Sequence, residues 1–198
     1  MLLETIKIEN GQIFNIEWHN QRFNRSRKEL FEVDEIINLQ NHITPPAQKG
    51  VFRCRILYDK NIISIEYIPY QTKNFRTFKI VQSDIDYSYK YSNRMKIEKL
   101  KAEVFPYDGI IIEKDGLLTD TAIANIAFYN GDSWLTPKKP LLKGTMRAKL
   151  LSEEFLIEKD IKSKELKEFS HFALMNAMIG FQIQKNIIIQ SKEEKLCL

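Results

Sequence analysis

Within residues 3–8 apolar positions alternate with period two through Ile6 and Ile8, pause at Asn10-Gly11, and alternate again through Phe14, Ile16 and Trp18. This pattern predicts a β-hairpin with an Asn-Gly turn, its second strand over residues 12–18. From His19-Asn-Gln-Arg22-Phe23 the apolar spacing lengthens toward Leu30 and Phe31, which predicts a helix. A short helix is expected over residues 34–43, stopped by Pro45-Pro46. Residues 51–58 and 62–68 predict a second hairpin, with Arg53 and Arg55 on one strand face and Phe52, Cys54 and Ile56 on the other.

Further along, residues 78–81 read as a strand and 94–104 as a helix. Residues 109–113, 117–128 and 133–136 predict a three-stranded antiparallel meander, turned at Lys114-Asp115-Gly116 and Asn130-Gly131-Asp132. Its middle segment contains Thr119-Asp-Thr-Ala-Ile-Ala-Asn125, too polar and too rich in small residues for a central strand. Such a local break marks a candidate site. A helix is expected from Gly144-Thr145 through Phe155, and a short one over 163–169. Strands follow over 172–177, 180–183 and 187–189, with a frayed tail beyond Ser191. The fold class is α+β. A small N-terminal subdomain is expected over 1–82 and a second subdomain over 83–198.

Composition narrows the function classes. The chain has 198 residues, is 43% hydrophobic and 28% charged, and carries a net charge of +4. Those values suit a globular protein with a real core. Lys and Glu are interleaved without a basic block or an aromatic-basic stripe, so nucleic acid is not an expected partner. Cys54 and Cys197 show no metal-ligand spacing and read as free thiols, and no metal site is expected. The chain goes directly into a strand pattern without a secretory signal, and no apolar run is long enough for a bilayer. A cytoplasmic location, with no membrane partner, is the expectation.

Lys90 lies at a strand-to-helix junction among Tyr87, Tyr89 and Tyr91. Partial desolvation of its amine there would suit imine formation or proton transfer, although a surface lysine fits the same stretch. Arg53 and Arg55 can line an anion pocket or stand solvated on a sheet face. His19 and Arg22, three apart at a helix start, lie near backbone N–H groups that favour anions. Gly144-Thr145 at another helix start suits a phosphate. Asn176 is the only strongly polar residue in 172–179, so it needs buried partners or a ligand.

Taken in order, Glu4-Thr5, His19-x-x-Arg22, Lys90-x-x-Asn93-Arg94, Thr119-Asp120 through Asn125, Thr136-Pro137, Gly144-Thr-Met-Arg147 and Asn176-Ala177 resemble the class IV aminotransferases. These are the fold-type-IV enzymes that use pyridoxal 5′-phosphate (PLP), and the resemblance runs over nearly the whole chain. It implies a D-amino acid aminotransferase-like fold of two subdomains with the cofactor in the cleft, and a homodimer. Lys90 matches the lysine that carries the cofactor and then moves the Cα proton. Asp120 stands where the family has a glutamate that keeps the pyridine nitrogen protonated. Arg22 matches the phosphate arginine, and Gly144, Thr145 and Met146 the phosphate cup. Asn176 and Ala177 match the loop that borders phosphate and substrate, and Asn125 matches an asparagine that holds the glutamate loop in shape. Glu4, Arg53, Arg55 and Tyr89 are the candidate substrate contacts.

Four departures accompany the resemblance. Asp120 is one methylene shorter than glutamate. The tyrosine that follows the lysine motif in branched-chain aminotransferases has no counterpart. The chain begins at the Glu-Thr strand, without the upstream hairpin most relatives carry, and Ala124 replaces a frequent serine. Lys-x-x-Asn-Arg and Ala124-Asn125 resemble the 4-amino-4-deoxychorismate lyases, which eliminate pyruvate to give 4-aminobenzoate for folate synthesis. The alternatives are transamination between branched-chain or D-amino acids and 2-oxo acids, or a non-catalytic relative. The substrate would be a small amino compound bearing a carboxylate.

Overall fold

A computed structural model of the chain describes residues 1–191 and 195–198. Packing groups them into two compact units: Met1–Thr72 with Tyr89–Asn93, and Lys73–Ser88 with Arg94–Leu198. A single cut after residue 82 is the simplest expectation from the sequence. Here the strand near residue 80 belongs to the second unit, and the five residues around Lys90 belong to the first.

The first unit is an antiparallel sheet covered by one helix. Strands β1 (Leu2–Glu9), β2 (Gln12–Ile13), β3 (Val51–Tyr58) and β4 (Ile62–Pro69) run in the order β2-β1-β3-β4. Glu4 opposes Ile56 and Ile6 opposes Cys54, so every second residue of β1 and β3 shares the covered face. Ile6, Ile8, Phe52, Cys54, Ile56 and Tyr58 form its core together with Phe23 of the helix α1 (Ile16–Phe31). The expected second strand over 12–18 is a correction: β2 is two residues long, and Ile16 and Trp18 are already helical. Asn15 adopts φ 52° and ψ 35°, a left-handed turn that ends strand pairing and starts the helix.

Helix α1 buries its polar side. His19, Arg22, Ser26 and Arg27 are buried with Phe23, while Leu30 is 38% exposed. Residues 34–43 do not form the expected helix; only Leu39–His42 makes a 3₁₀ turn. Side chains of α1 take the backbone groups that such a helix would pair internally. Asn24 donates to Ile37 O (2.9 Å) and accepts from Ile37 N (3.0 Å), and Asn20 accepts from Leu39 N (2.8 Å). Arg27, fully buried, donates to Lys60 O (2.8 Å) and Glu35 O (2.6 Å), tying two loops to the helix.

In the second unit, β5 (Thr77–Gln82) pairs in parallel with β6 (Gly109–Lys114). Residues 83–108 therefore form a crossover, carrying Lys90 and α2 (Met95–Ala102). Residues 109–113 are all buried, as expected for a strand covered on both faces. Strands β7 (Leu117–Thr121), β8 (Asn125–Tyr129) and β9 (Trp134–Pro137) continue the sheet. The expected three-stranded meander thus has four strands, because its middle segment divides at Ala122-Ile123-Ala124. The hydroxyl of Thr121 accepts from Ala124 N (3.0 Å) and turns the chain there.

Helix α3 (Thr145–Ser152) stops before Phe155, and β10 (Leu156–Lys159), absent from the sequence reading, pairs in parallel with β9. Glu154 at φ 57° makes that reversal. Strand β11 (His171–Asn176) attaches to β8 and β12 (Gly180–Gln184) to β11, and β13 (Ile188–Gln190) pairs with β5 and with β14 (Lys195–Cys197). Part of the tail expected to fray, residues 192–194, lies outside the described residues. Beyond it, Lys195–Cys197 is paired. No described helix is long and apolar enough to cross a membrane.

Replacing Arg27 with Leu should remove both loop anchors and leave two carbonyls without a donor. We expect a loss of about 3 kcal/mol in unfolding free energy, read from urea denaturation of the full chain.

Candidate active site

The first unit gathers a buried ionic cluster. Glu4 is fully buried on β1, and Arg22 from α1 meets it side-on, Nε donating to Oε1 at 2.8 Å and Nη2 to Oε2 at 2.5 Å. His19 Nδ1 lies 2.6 Å from the same Oε2. Burial alone would raise the Glu4 carboxyl, but the charge of Arg22 and the hydrogen bonds from His19 and Arg22 outweigh it and hold the pKa at about 2. For His19, burial pushes the pKa down. Glu4 opposes that shift while the charges of Arg22 and Lys90 reinforce it, so the ring is neutral at pH 7 and donates its Nδ1 proton to Glu4.

Lys90 joins this cluster through the backbone. Leu3 N donates to Lys90 O at 2.8 Å, next to Glu4 in β1. Tyr91 N donates to Tyr89 O at 2.8 Å, so Lys90 is the centre of a three-residue turn. Tyr89 and Tyr91 pack against the core of the first unit, and Leu2 bridges Tyr91. The turn is thereby anchored on both sides, leaving Lys90 half-buried.

The second unit holds the other candidate cluster where β7 gives way to β8. Asp120 is 4% exposed; its Oδ1 accepts from Asn125 Nδ2 at 2.7 Å and its Oδ2 from Leu142 N at 2.9 Å. Asn125 Nδ2 also donates to Leu142 O at 2.8 Å, so the Leu142 peptide is held at both its N–H and its C=O. Burial raises the Asp120 carboxyl to about 7, because these neutral donors and the more distant charge of Arg147 offset only part of the desolvation. Two residues on, Gly144 starts α3. A Cβ there would collide with the Asn125 side chain, so the close approach of loop and helix start requires glycine. Arg94 Nη2 donates to Ala122 O (2.7 Å) and Asn176 Nδ2 to Ile123 O (3.1 Å), which fixes the segment between β7 and β8.

The structure sorts the residues singled out by sequence. It brings Arg22 and Lys90 together in the first unit, and Asp120, Asn125, Gly144 and Asn176 in the second. Thr145 is buried at the start of α3. The Met146 side chain packs against apolar core, and Ala177 lies half-buried beside Asn176.

Three of the expected substrate contacts already have protein partners within the first unit. Glu4 spends both oxygens on Arg22 and His19 with no exposure. Arg55 pairs with Glu66 across the sheet at 3.0 Å. The Tyr89 hydroxyl donates to Glu29 at 3.0 Å. Arg53 remains: its Nε is buried without a hydrogen-bond partner among the described residues. The role of His19 is not legible in the sequence, because a lone histidine at a helix start does not reveal its partner on β1.

With this geometry in view, the family model for amino-transferase class IV matches residues 1–187. An uncharacterized protein of Haemophilus influenzae is 41% identical, with 90% of this chain and 98% of that protein covered. A solved structure from Haemophilus somnus 129pt, described as a "putative 4-amino-4-deoxychorismate lyase", is 38% identical with a TM-score of 0.82, covering 90% of this chain and 96% of that one. The PLP-bound form of a hypothetical aminotransferase from Mycobacterium tuberculosis shares the fold at 14% identity and a TM-score of 0.72, covering 96% of this chain and 81% of that one.

An acid whose native pKa lies above its unfolded value disfavours folding once it ionises. For Asp120 that cost is absent below about pH 4, builds as pH rises toward about 7, and is complete above it. Ligand-free Asp120→Asn should therefore gain stability over wild type as pH goes from 4 to 8. Thermal denaturation across that range checks the slope, and parallel pH profiles would contradict the assignment.

Proposed function

Because this chain belongs to the class IV aminotransferases, we propose that it is a PLP-dependent enzyme of the lyase type, releasing pyruvate from 4-amino-4-deoxychorismate to leave 4-aminobenzoate. The observation that carries the cofactor reading is Asp120, a buried carboxyl at about 7 whose hydrogen-bond donors are all neutral. A pyridinium N–H is the kind of cationic donor that such a site lacks, so the residues present fit the group. The glycine-requiring approach at Gly144 fits a phosphate cup in the same way. By the family resemblance, in the first unit Arg22 would contact the phosphate and Lys90 would carry the cofactor; in the second unit Thr145 and the first N–H groups of α3 would suit a phosphate, and Asn176-Ala177 would border the cofactor.

When bound, the protonated ring supplies an electron sink for the pair left at the carbon bearing the amino group. Lys90 takes the proton from that carbon. Asp120, held in place by Asn125 and Leu142, would be the carboxylate that pairs with the protonated ring nitrogen. The enolpyruvyl C–O bond then breaks, and the departing group takes up a proton at its methylene carbon to become pyruvate as the ring aromatises. Arg53, whose Nε has no hydrogen-bond partner among the described residues, would take a substrate carboxylate. The lyase reading rests on Lys90-x-x-Asn93-Arg94, on Ala124-Asn125 and on the likeness to the Haemophilus somnus protein. Homodimer assembly and a place in folate synthesis belong to the same reading.

Wild type mixed with PLP should develop a visible absorption band, and borohydride should trap a pyridoxyl group on Lys90 by peptide mass spectrometry. Lys90→Ala should show neither. Pyruvate formed from 4-amino-4-deoxychorismate without an amino acceptor supports the lyase. Turnover only with an amino acid and a 2-oxo acid would replace it with transamination, and a colourless wild type at saturating PLP would leave a non-catalytic protein. Arg53→Met should raise KM about tenfold or more with kcat changed far less, measured by steady-state pyruvate release.

A further inference from the structure

The ionic cluster on β1 and α1 contains two buried titratable groups, Glu4 and His19, to which the proposed chemistry gives no task. We infer that His19 is a positioning residue for phosphate recognition: through the Glu4 carboxylate it fixes the orientation of the Arg22 guanidinium. The inference rests on the reading that Arg22 holds the cofactor phosphate. Exposure separates the members of the cluster. The side chains of Glu4 and His19 have none, while Arg22 keeps 8%. Of the three, only the cation can be reached by a ligand, so the other two act through it.

Glu4 grips Arg22 side-on with both oxygens. That contact sets the plane of the guanidinium relative to the carboxylate, but the carboxylate can still turn about its own side chain. The His19 Nδ1–H on Oε2, at 2.6 Å, removes that freedom. A third charge is not needed there, since Glu4 and Arg22 already balance. A neutral histidine adds direction without adding charge. The covalent framework is short as well: His19 and Arg22 are three apart on α1 and lie over one strand position. The clamp therefore holds Arg22 in advance between α1 and β1, and an arginine so held loses less side-chain freedom when it binds an anion.

The test compares PLP with pyridoxal, which lacks the phosphate, by absorbance titration of the full chain. Wild type should prefer PLP. His19→Leu should weaken PLP about tenfold while leaving pyridoxal unchanged. His19→Asn, whose amide N–H can still reach the carboxylate, should recover most of the loss. Equal weakening of both ligands, or of neither, in a His19→Leu protein with a native circular dichroism spectrum overturns the inference. If His19→Leu does not fold, Glu4→Gln carries the same test. It keeps the volume but offers Arg22 a single acceptor, and a wild-type PLP-to-pyridoxal ratio there overturns the inference equally. A wild type without preference for PLP overturns the phosphate reading of Arg22 together with it, whereas a normal wild-type preference retained in the variants overturns the role of His19 alone.

Discussion

The first unit depends on one buried carboxylate. Glu4 sits on a strand whose neighbours on that face are Leu2, Ile6 and Ile8, where an isolated charge would be prohibitively costly. It is tolerated because α1 brings Arg22 and His19 to it, and the pairing is favourable enough to hold the acid at about 2. That requirement explains why the helix packs its polar side inward. Arg27 extends the same logic, supplying buried donors to the carbonyls of Lys60 and Glu35. The helix is docked mainly by directional polar contacts around Phe23, which tolerate less sliding than an apolar seam.

The second buried acid is treated in the opposite way. Asp120 receives only neutral donors, and its carboxyl rises to about 7. Two buried acids, one in each unit, are thus pushed in opposite directions by their own surroundings. Glu4 has its cation built in. Asp120 is short of one, which suits a cationic ring. Asn125 and the Leu142 peptide hold its carboxyl in a closed ring of hydrogen bonds, and Gly144 lets the helix start come close.

Parallel pairing of β5 with β6 has its own consequence. Such a pair needs a long crossover, and the 83–108 connection is where Lys90 lies. Residues 89–93 leave the second unit and are pinned to β1 by the Leu3-to-Lys90 hydrogen bond and by Tyr89 and Tyr91. The tyrosines around Lys90 are thus anchors for its turn.

Much was legible in the sequence where local chemistry decides. The strands at Val51–Tyr58 and Ile62–Pro69 follow from period two, the turn at Asp115-Gly116 from residues that accept positive φ, and the break before Asn125 from polar residues in a strand context. The ordered motifs, from Glu4-Thr5 to Asn176-Ala177, were enough to point to the family. What the sequence could not reveal were outcomes of long-range pairing. Ile16 looked like a strand residue until Asn15 turned the chain, Glu4 looked available until Arg22 and His19 enclosed it, and Arg55 until Glu66 met it across the sheet. Residues 34–43 likewise gave up helical bonds to Asn20 and Asn24. Period and turn chemistry act over a few residues and are written in the chain. Which charge meets which partner, and whether water is excluded there, depends on segments far apart in sequence, so only the tertiary structure decides it.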